Sequence, residues 1–186
     1  MGSDRLPEPW HSFLTEVDVA ATQDIALDCI GGFAVALYYG LSRPTADIDI
    51  VEVRPHAAKG WLTAIAGEGS ALHKKHKVYL DIVTVSSIPD SYEDRIREIF
   101  PNHFQRLHLF VLDPIDLVLS KLSRNRDRDL EDAKHLVRST ALDLNLLESR
   151  YQEELRFQLS GPPSRHDQTL NIWLEIFREE RERQSP

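Results

Sequence analysis

The sequence predicts an α/β (α+β) chain: a mixed β-sheet flanked by helices over residues 1–112, then helices alone over 113–186. Three observations carry this. Short segments rich in β-branched residues alternate with helix-like stretches as far as Leu112. Beyond Asp113-Pro114 every apolar pattern has helical spacing. The chain has 186 residues, 41% of them hydrophobic, which is enough for a real core without staples. An α/β half carrying a site and a helical half packed on it is the layered arrangement such a pattern implies.

The elements follow in order. Trp10 to Thr22 reads as a helix, and Ile25 to Ile30 as a short buried strand that runs into Gly31-Gly32. A helix follows, with Ala34, Leu37, Tyr38 and Leu41 at i, i+3, i+4 and i+7. Gly40 marks its end, and Pro44 keeps the next stretch extended. Asp47 to Val53 is a strand. His56 to Ala66 is a helix stopped by the turn Gly67-Glu68-Gly69, and Val78 to Val85 is a third strand. A short helix is expected from Tyr92 to Ile99 and a further strand from Leu107 to Leu112.

Asp113 as N-cap and Pro114 at the first helical position open a helix with the stripe Ile115, Val118, Leu119, Leu122. After a polar break from Arg124 to Arg128, a helix runs from about Asp129 to Arg138, with Leu130, Ala133 and Val137 inward. Leu144, Leu147, Tyr151 and Leu155 suggest another. Ser160-Gly161-Pro162-Pro163-Ser164 reads as a linker. Beyond it Leu170, Trp173, Leu174 and Phe177 line one helix face, which is expected to serve the core, a partner or a second copy of the chain. The charged tail from Arg178 to Pro186 is expected to fray.

Composition narrows the function classes. The 22 basic and 30 acidic residues give a formal charge of −8, which argues against coating duplex DNA. Two local basic strips, His73-Lys74-Lys75-His76-Lys77 and Arg124/Arg126/Arg128, suit either a phosphate backbone or plain solvated turns. The single Cys29 reads as core and fits a cytoplasmic location. No apolar run approaches the roughly 18 residues of a membrane helix, so no membrane partner is expected. Met1-Gly2-Ser3-Asp4 lacks the basic and apolar pattern of a secretory signal. His73 and His76 have no cysteine or carboxylate at ligand spacing and read as surface.

The chemistry centres on acidic residues. Asp47 and Asp49, two apart on a strand, point to the same face, where unpaired carboxylates repel each other. A divalent cation relieves that repulsion, since Mg²⁺ (or Mn²⁺) takes hard oxygen ligands. Asp81 is equally out of place in its apolar strand and would complete the set if the strands are neighbours. The plainer alternative makes Asp47 a strand-entry residue, Asp49 a surface residue and Asp81 the partner of a buried arginine. Gly31-Gly32, between strand and helix, would let phosphates approach the backbone; the alternative is a tight turn needing positive φ.

In this order (Gly31-Gly32-Phe33-Ala34-Val35, then Arg43-Pro44-Thr45-Ala46-Asp47-Ile48-Asp49, then Tyr79-Leu80-Asp81-Ile82-Val83) the chain resembles the polymerase-β-type nucleotidyltransferase superfamily. Pro114 to Leu122, followed by Arg128-Asp129-Leu130-Glu131-Asp132-Ala133, is similar to the helical half of the AbiEii-type branch, which includes toxins of bacterial toxin–antitoxin pairs. The resemblance spans roughly residues 24 to 138. It implies a minimal nucleotidyltransferase core with Asp47, Asp49 and Asp81 as metal ligands and Asp81 as general base. It also implies Gly31, Gly32, Arg43 and Thr45 at the nucleotide, Lys121 facing the triphosphate or developing charge, and Asp129 or Asp132 orienting it or approaching the metal site. Many members have Gly-Ser where this chain has Gly31-Gly32, which leaves the phosphates to backbone N–H groups and Arg43.

Lys121 also reads as a residue that snorkels to solvent, and Asp129 and Asp132 as first-turn carboxylates stabilising a helix dipole. The expected activity is Mg²⁺-dependent transfer of a nucleoside monophosphate from an NTP to an acceptor hydroxyl, with release of pyrophosphate. RNA, such as a tRNA 3′ end, a small molecule or a protein side chain would be the acceptor, and an antitoxin protein a partner. The alternative is a non-catalytic nucleotide- or partner-binding module on the same fold.

Overall fold

The computed structural model describes residues 6–84 and 87–183. Met1-Gly2-Ser3-Asp4, Val85 at the end of the expected third strand, and the last three residues of the expected tail lie outside them. The chain divides into two compact units, Met1–Val85 with Ile96–Leu112, and Ser86–Arg95 with Asp113–Pro186.

The first unit is built on five strands, β1 (Ile25–Ile30), β2 (Asp47–Arg54), β3 (Tyr79–Ile82), β4 (Arg97–Ile99) and β5 (Leu107–Val111), in the order β3-β2-β1-β5-β4. β2 and β3 are parallel, as are β1 and β5, whereas β1 and β2, and β4 and β5, are antiparallel, so the sheet is mixed. Alternation along each strand sends Leu27, Cys29, Ile48, Ile50, Leu80, Leu109 and Val111 into the core. Helices α1 (Trp10–Ala20), α3 (Lys59–Ala66) and α4 (Ala71–His76) belong to this unit. Trp10 of α1 meets Phe33 edge to face at 5.2 Å, which anchors the chain just after the paired glycines. Asp18, also on α1, accepts the backbone N–H groups of Gln105, Arg106 and Leu107 and so fixes the start of β5.

Several elements differ from expectation: α8 (Pro163–Glu182) starts inside the expected linker and stays helical well into the tail expected to fray, and β3 covers only Tyr79–Ile82. The helix expected over Tyr92–Ile99 is a single 3₁₀ turn, Tyr92–Arg95, followed by the edge strand β4. Pairing with β5, with Ile99 opposite Leu109, outweighs the helical propensity of its charged residues. The basic strip at His73 is helical, because Ser70 caps α4 by accepting the His73 N–H. The helix after the glycines is short: α2 (Gly31–Phe33) widens into a π turn, Ala34–Tyr38, and ends at Gly40, whose φ is +75°. Ala34 and Val35 are buried, whereas Leu37 and Tyr38, members of the expected stripe, are only half-buried.

The second unit holds α5 (Pro114–Leu122), α6 (Asp127–Thr140), α7 (Leu144–Arg150) and α8 (Pro163–Glu182). Asp113 caps α5 by accepting the Ile115 N–H, with Pro114 at its start. Residues 87–95 cluster with these helices: the Arg95 guanidinium bonds Glu154 and the fully buried Asp116. Leu170, Trp173, Leu174 and Phe177 of α8 are buried, and Trp173 Nε1 donates to Asn125 Oδ1 at 3.0 Å. That stripe is therefore consumed within its own unit and is not a docking face for a partner or a second copy. Among the described residues no helix is long and apolar enough to cross a membrane.

Candidate active site

The register of β2 and β3 builds the site. Asp47 lies opposite Tyr79 and Asp49 opposite Asp81 in a parallel ladder. Residues paired in this way project to the same face. The intervening Ile48, Ile50 and Leu80 point the other way and are buried, which fixes the register. Asp47, Asp49, Tyr79 and Asp81 therefore share one face, with Asp49 half-buried and Asp81 exposed.

The glycine turn closes against this face. A Cβ on Gly31 would overlap the Asp49 carboxylate, and Gly31 has φ of +69°, so two independent constraints demand glycine. A Cβ on Gly32 would stand 3.0 Å from a terminal nitrogen of Arg43 and 3.3 Å from Thr45 Oγ1. Thr45 Oγ1 in turn donates to Asp47 Oδ1 at 2.9 Å. The first unit thus brings together Gly31, Gly32, Arg43, Thr45, Asp47, Asp49 and Asp81.

Among the described residues no group of three or more His, Cys, Asp or Glu side chains stands ready to hold a metal ion. Mg²⁺ commonly uses one or two carboxylates and completes its shell with water and substrate phosphates. Adjacent Asp49 and Asp81, with Asp47 two residues along, offer hard oxygen donors of that kind, so the donor set fits a substrate-completed site better than a closed protein cage. The Asp81 carboxylate makes no ion pair or hydrogen bond with any described residue, which removes the expectation of a buried arginine partner. Asp28 on β1 shows the contrasting case: it is fully buried and held by both terminal nitrogens of Arg54, at 2.5 and 2.6 Å.

Tyr79 was not expected at the site. Burial first, then the charges of Asp47, Glu68, Asp81 and Asp49, hold its phenol above the usual range. Its ring lies 4.8 Å from that of His73, whose Nδ1 accepts the Gly69 N–H at 2.8 Å. The available signal was its position two residues before Asp81, since period-two spacing places both on one face. Cys29 is buried core as expected, its thiol pushed up by burial and then by Asp28 and Asp49.

Lys121 and Asp132 lie in the helical unit. All of α5 from Ile115 to Leu122 is buried, so Lys121 does not snorkel: it is 2% exposed. Its ammonium bonds Asp132 at 2.8 Å and lies 3.8 Å from Asp129, which also receives Arg124 at 2.7 Å. α6 turns both aspartates inward beside Ala133, Leu136 and Val137, so Asp132 anchors a buried cation instead of merely serving a helix dipole.

No curated protein and no solved structure matches the chain. A match to a known family extends over residues 14–181, which takes in the glycine turn, all three site aspartates, Lys121 and Asp132. The chain belongs to the family described as nucleotidyltransferase of unknown function (DUF6036).

Proposed function

We propose that the chain is a divalent-cation-dependent nucleotidyltransferase that moves a nucleoside monophosphate from an NTP to an acceptor hydroxyl and releases pyrophosphate. The observation that carries this reading is the β2–β3 register, which sets Asp49 beside Asp81 on the face that closes over Gly31. Gly31 and Gly32 leave the backbone open to phosphate oxygens. Arg43 offers a guanidinium for one of them, and the Thr45 hydroxyl orients the Asp47 carboxylate. Asp47, Asp49 and Asp81 would hold Mg²⁺ or Mn²⁺, which when bound supplies charge neutralisation at the triphosphate. The exposed Asp81 is suited to take the proton of the acceptor hydroxyl.

Lys121 and its anchor Asp132 form a separate proposal as nucleotide-binding residues. Lys121→Arg, which keeps the charge, should then restore nucleotide affinity that Lys121→Met loses. The AbiEii-type relationship, an RNA or small-molecule acceptor and an antitoxin partner belong to the same reading. Exposed Lys74 and Lys77, just before β3, support RNA. Lys75 and His76 support it less, because both engage Glu16.

Incubation with labelled NTPs, Mg²⁺ and total RNA tests the reading. Label should enter RNA, pyrophosphate should appear, and both should be lost in Asp47→Asn and Asp49→Asn. Transfer that survives Asp47→Asn would reject its metal role. The alternative reading is a non-catalytic nucleotide-binding module on the same fold. NTP binding measured by calorimetry and unchanged by Mg²⁺ would select it.

A further inference from the structure

Among the acceptor classes considered so far is a protein side chain, and the carboxylate face holds a hydroxyl of its own. Of the tyrosines, Tyr39 donates its hydroxyl to the Leu112 carbonyl and Tyr151 donates to Asp167. Tyr79 is the one placed in the β2–β3 ladder, opposite Asp47 and two residues from Asp81. Neighbouring strands lie about 4.8 Å apart, and side chains two residues apart on a strand are about 7 Å apart. The Tyr79 side chain therefore starts within a few Å of the acidic set.

Its ring does not swing freely. It packs on His73, and His73 is itself fixed by the Gly69 N–H and by the Ser70 cap at the start of α4. Its hydroxyl makes no hydrogen bond with any described residue. Thr45, the other hydroxyl on this face, is committed to Asp47. A pinned phenol with an uncommitted oxygen, among carboxylates suited to bind a metal-bound triphosphate, is the arrangement an intramolecular acceptor needs.

We infer that Tyr79 is a self-modification site at which the protein attaches a nucleoside monophosphate to its own phenol. This rests on the nucleotidyltransferase reading above. The phenol oxygen forms a bond to the α-phosphorus of an NTP. The bond from that phosphorus to the β-phosphate's bridging oxygen breaks, and pyrophosphate leaves with the electron pair. The phenolic proton passes to Asp81 and from there to water. The product is a phosphodiester on Tyr79, and the adduct occupies the acceptor position.

The test is intact-protein mass spectrometry with peptide mapping, after incubation of the full chain with each NTP and Mn²⁺. Pyrophosphate release and transfer to total RNA are measured in parallel. The expected result is a mass gain of one nucleoside monophosphate mapped to Tyr79, lost in Tyr79→Phe and in Asp49→Asn, with Tyr79→Phe melting as the parent does. Pyrophosphate release with label in RNA and an unmodified Tyr79 would overturn the inference and leave the nucleotidyltransferase reading standing. An adduct at any other residue would also overturn it. Neither pyrophosphate nor adduct with any NTP would overturn both.

Discussion

The two units treat their carboxylates differently. In the helical unit the inward acids meet cations: Asp116 meets Arg95 and Arg150, Asp132 meets Lys121, and Asp129 meets Arg124. The half-exposed Asp167 meets Arg156 in the same way. On the β2–β3 face of the α/β unit, Asp47 is oriented by a neutral hydroxyl and Asp81 makes no ion pair with any described residue. The α/β unit can neutralise an acid when structure requires it, as Asp28 and Arg54 show on the neighbouring strand. Acids kept for the fold are answered inside the protein, by cations or, at Asp18, by backbone N–H groups. Acids gathered on one face around a left-handed glycine are suited to a charge brought from outside.

Four substitutions break or sharpen that contrast. The largest effect is expected for Asp49→Asn. Nucleotidyl transfer should fall by about 10³-fold, since electrostatic stabilisation of this kind is worth that order, a far larger effect than any shift in thermal melting. A variant that loses activity and melts early would instead make Asp49 a structural residue.

Lys121→Met is the converse case. It leaves Asp132 buried beside a side chain with no charge, and breaking a buried pair costs about 3–5 kcal/mol. Urea denaturation should show a loss of that order in the helical unit. A change within error would mean the pair contributes nothing to the fold.

Gly31→Ala falls between the two regions' behaviours, because it is a backbone change that acts on the site. Left-handed backbone costs a non-glycine residue about 1–2 kcal/mol, and the new methyl would displace the Asp49 carboxylate. Both stability and transfer should drop, activity more than stability. Retained activity would show that the carboxylate does not need its place over the turn.

The smallest effect concerns acid. Arg156, and then Tyr151, hold the Asp167 carboxyl down at about 2, against its ordinary 3.8. A depressed carboxylate contributes stability that is fully present above the unfolded value and is lost as pH falls through the folded one. Stability of the helical unit should therefore decline between about pH 4 and pH 2. Asp167→Asn should flatten that part of the curve; an unchanged curve would assign the acid sensitivity to other groups.

That Asp47 and Asp49 share a face was legible because period-two spacing in a strand fixes the face a side chain takes, whatever its partners; that Asp81 joins them depended on β3 pairing with β2. The glycines were legible because a strand running straight into two glycines and a helix leaves few backbone options. Lys121 read as off the stripe because periodicity assumes one solvent-facing side, and α5 is buried all round. β4 was missed because a short charged edge strand owes its existence to pairing with β5, a contact with no local signature. Tyr79 was missed because an aromatic residue in a strand is ordinary; only the register with β2 makes it a neighbour of Asp47.

The most direct test of the central claim is Mn²⁺ binding in the presence of a non-hydrolysable NTP, followed by electron paramagnetic resonance, for the parent chain, Asp49→Asn and Asp28→Asn. Nucleotide-dependent Mn²⁺ binding should disappear in Asp49→Asn and persist in whatever fraction of Asp28→Asn remains folded. Undiminished binding in Asp49→Asn would contradict that claim.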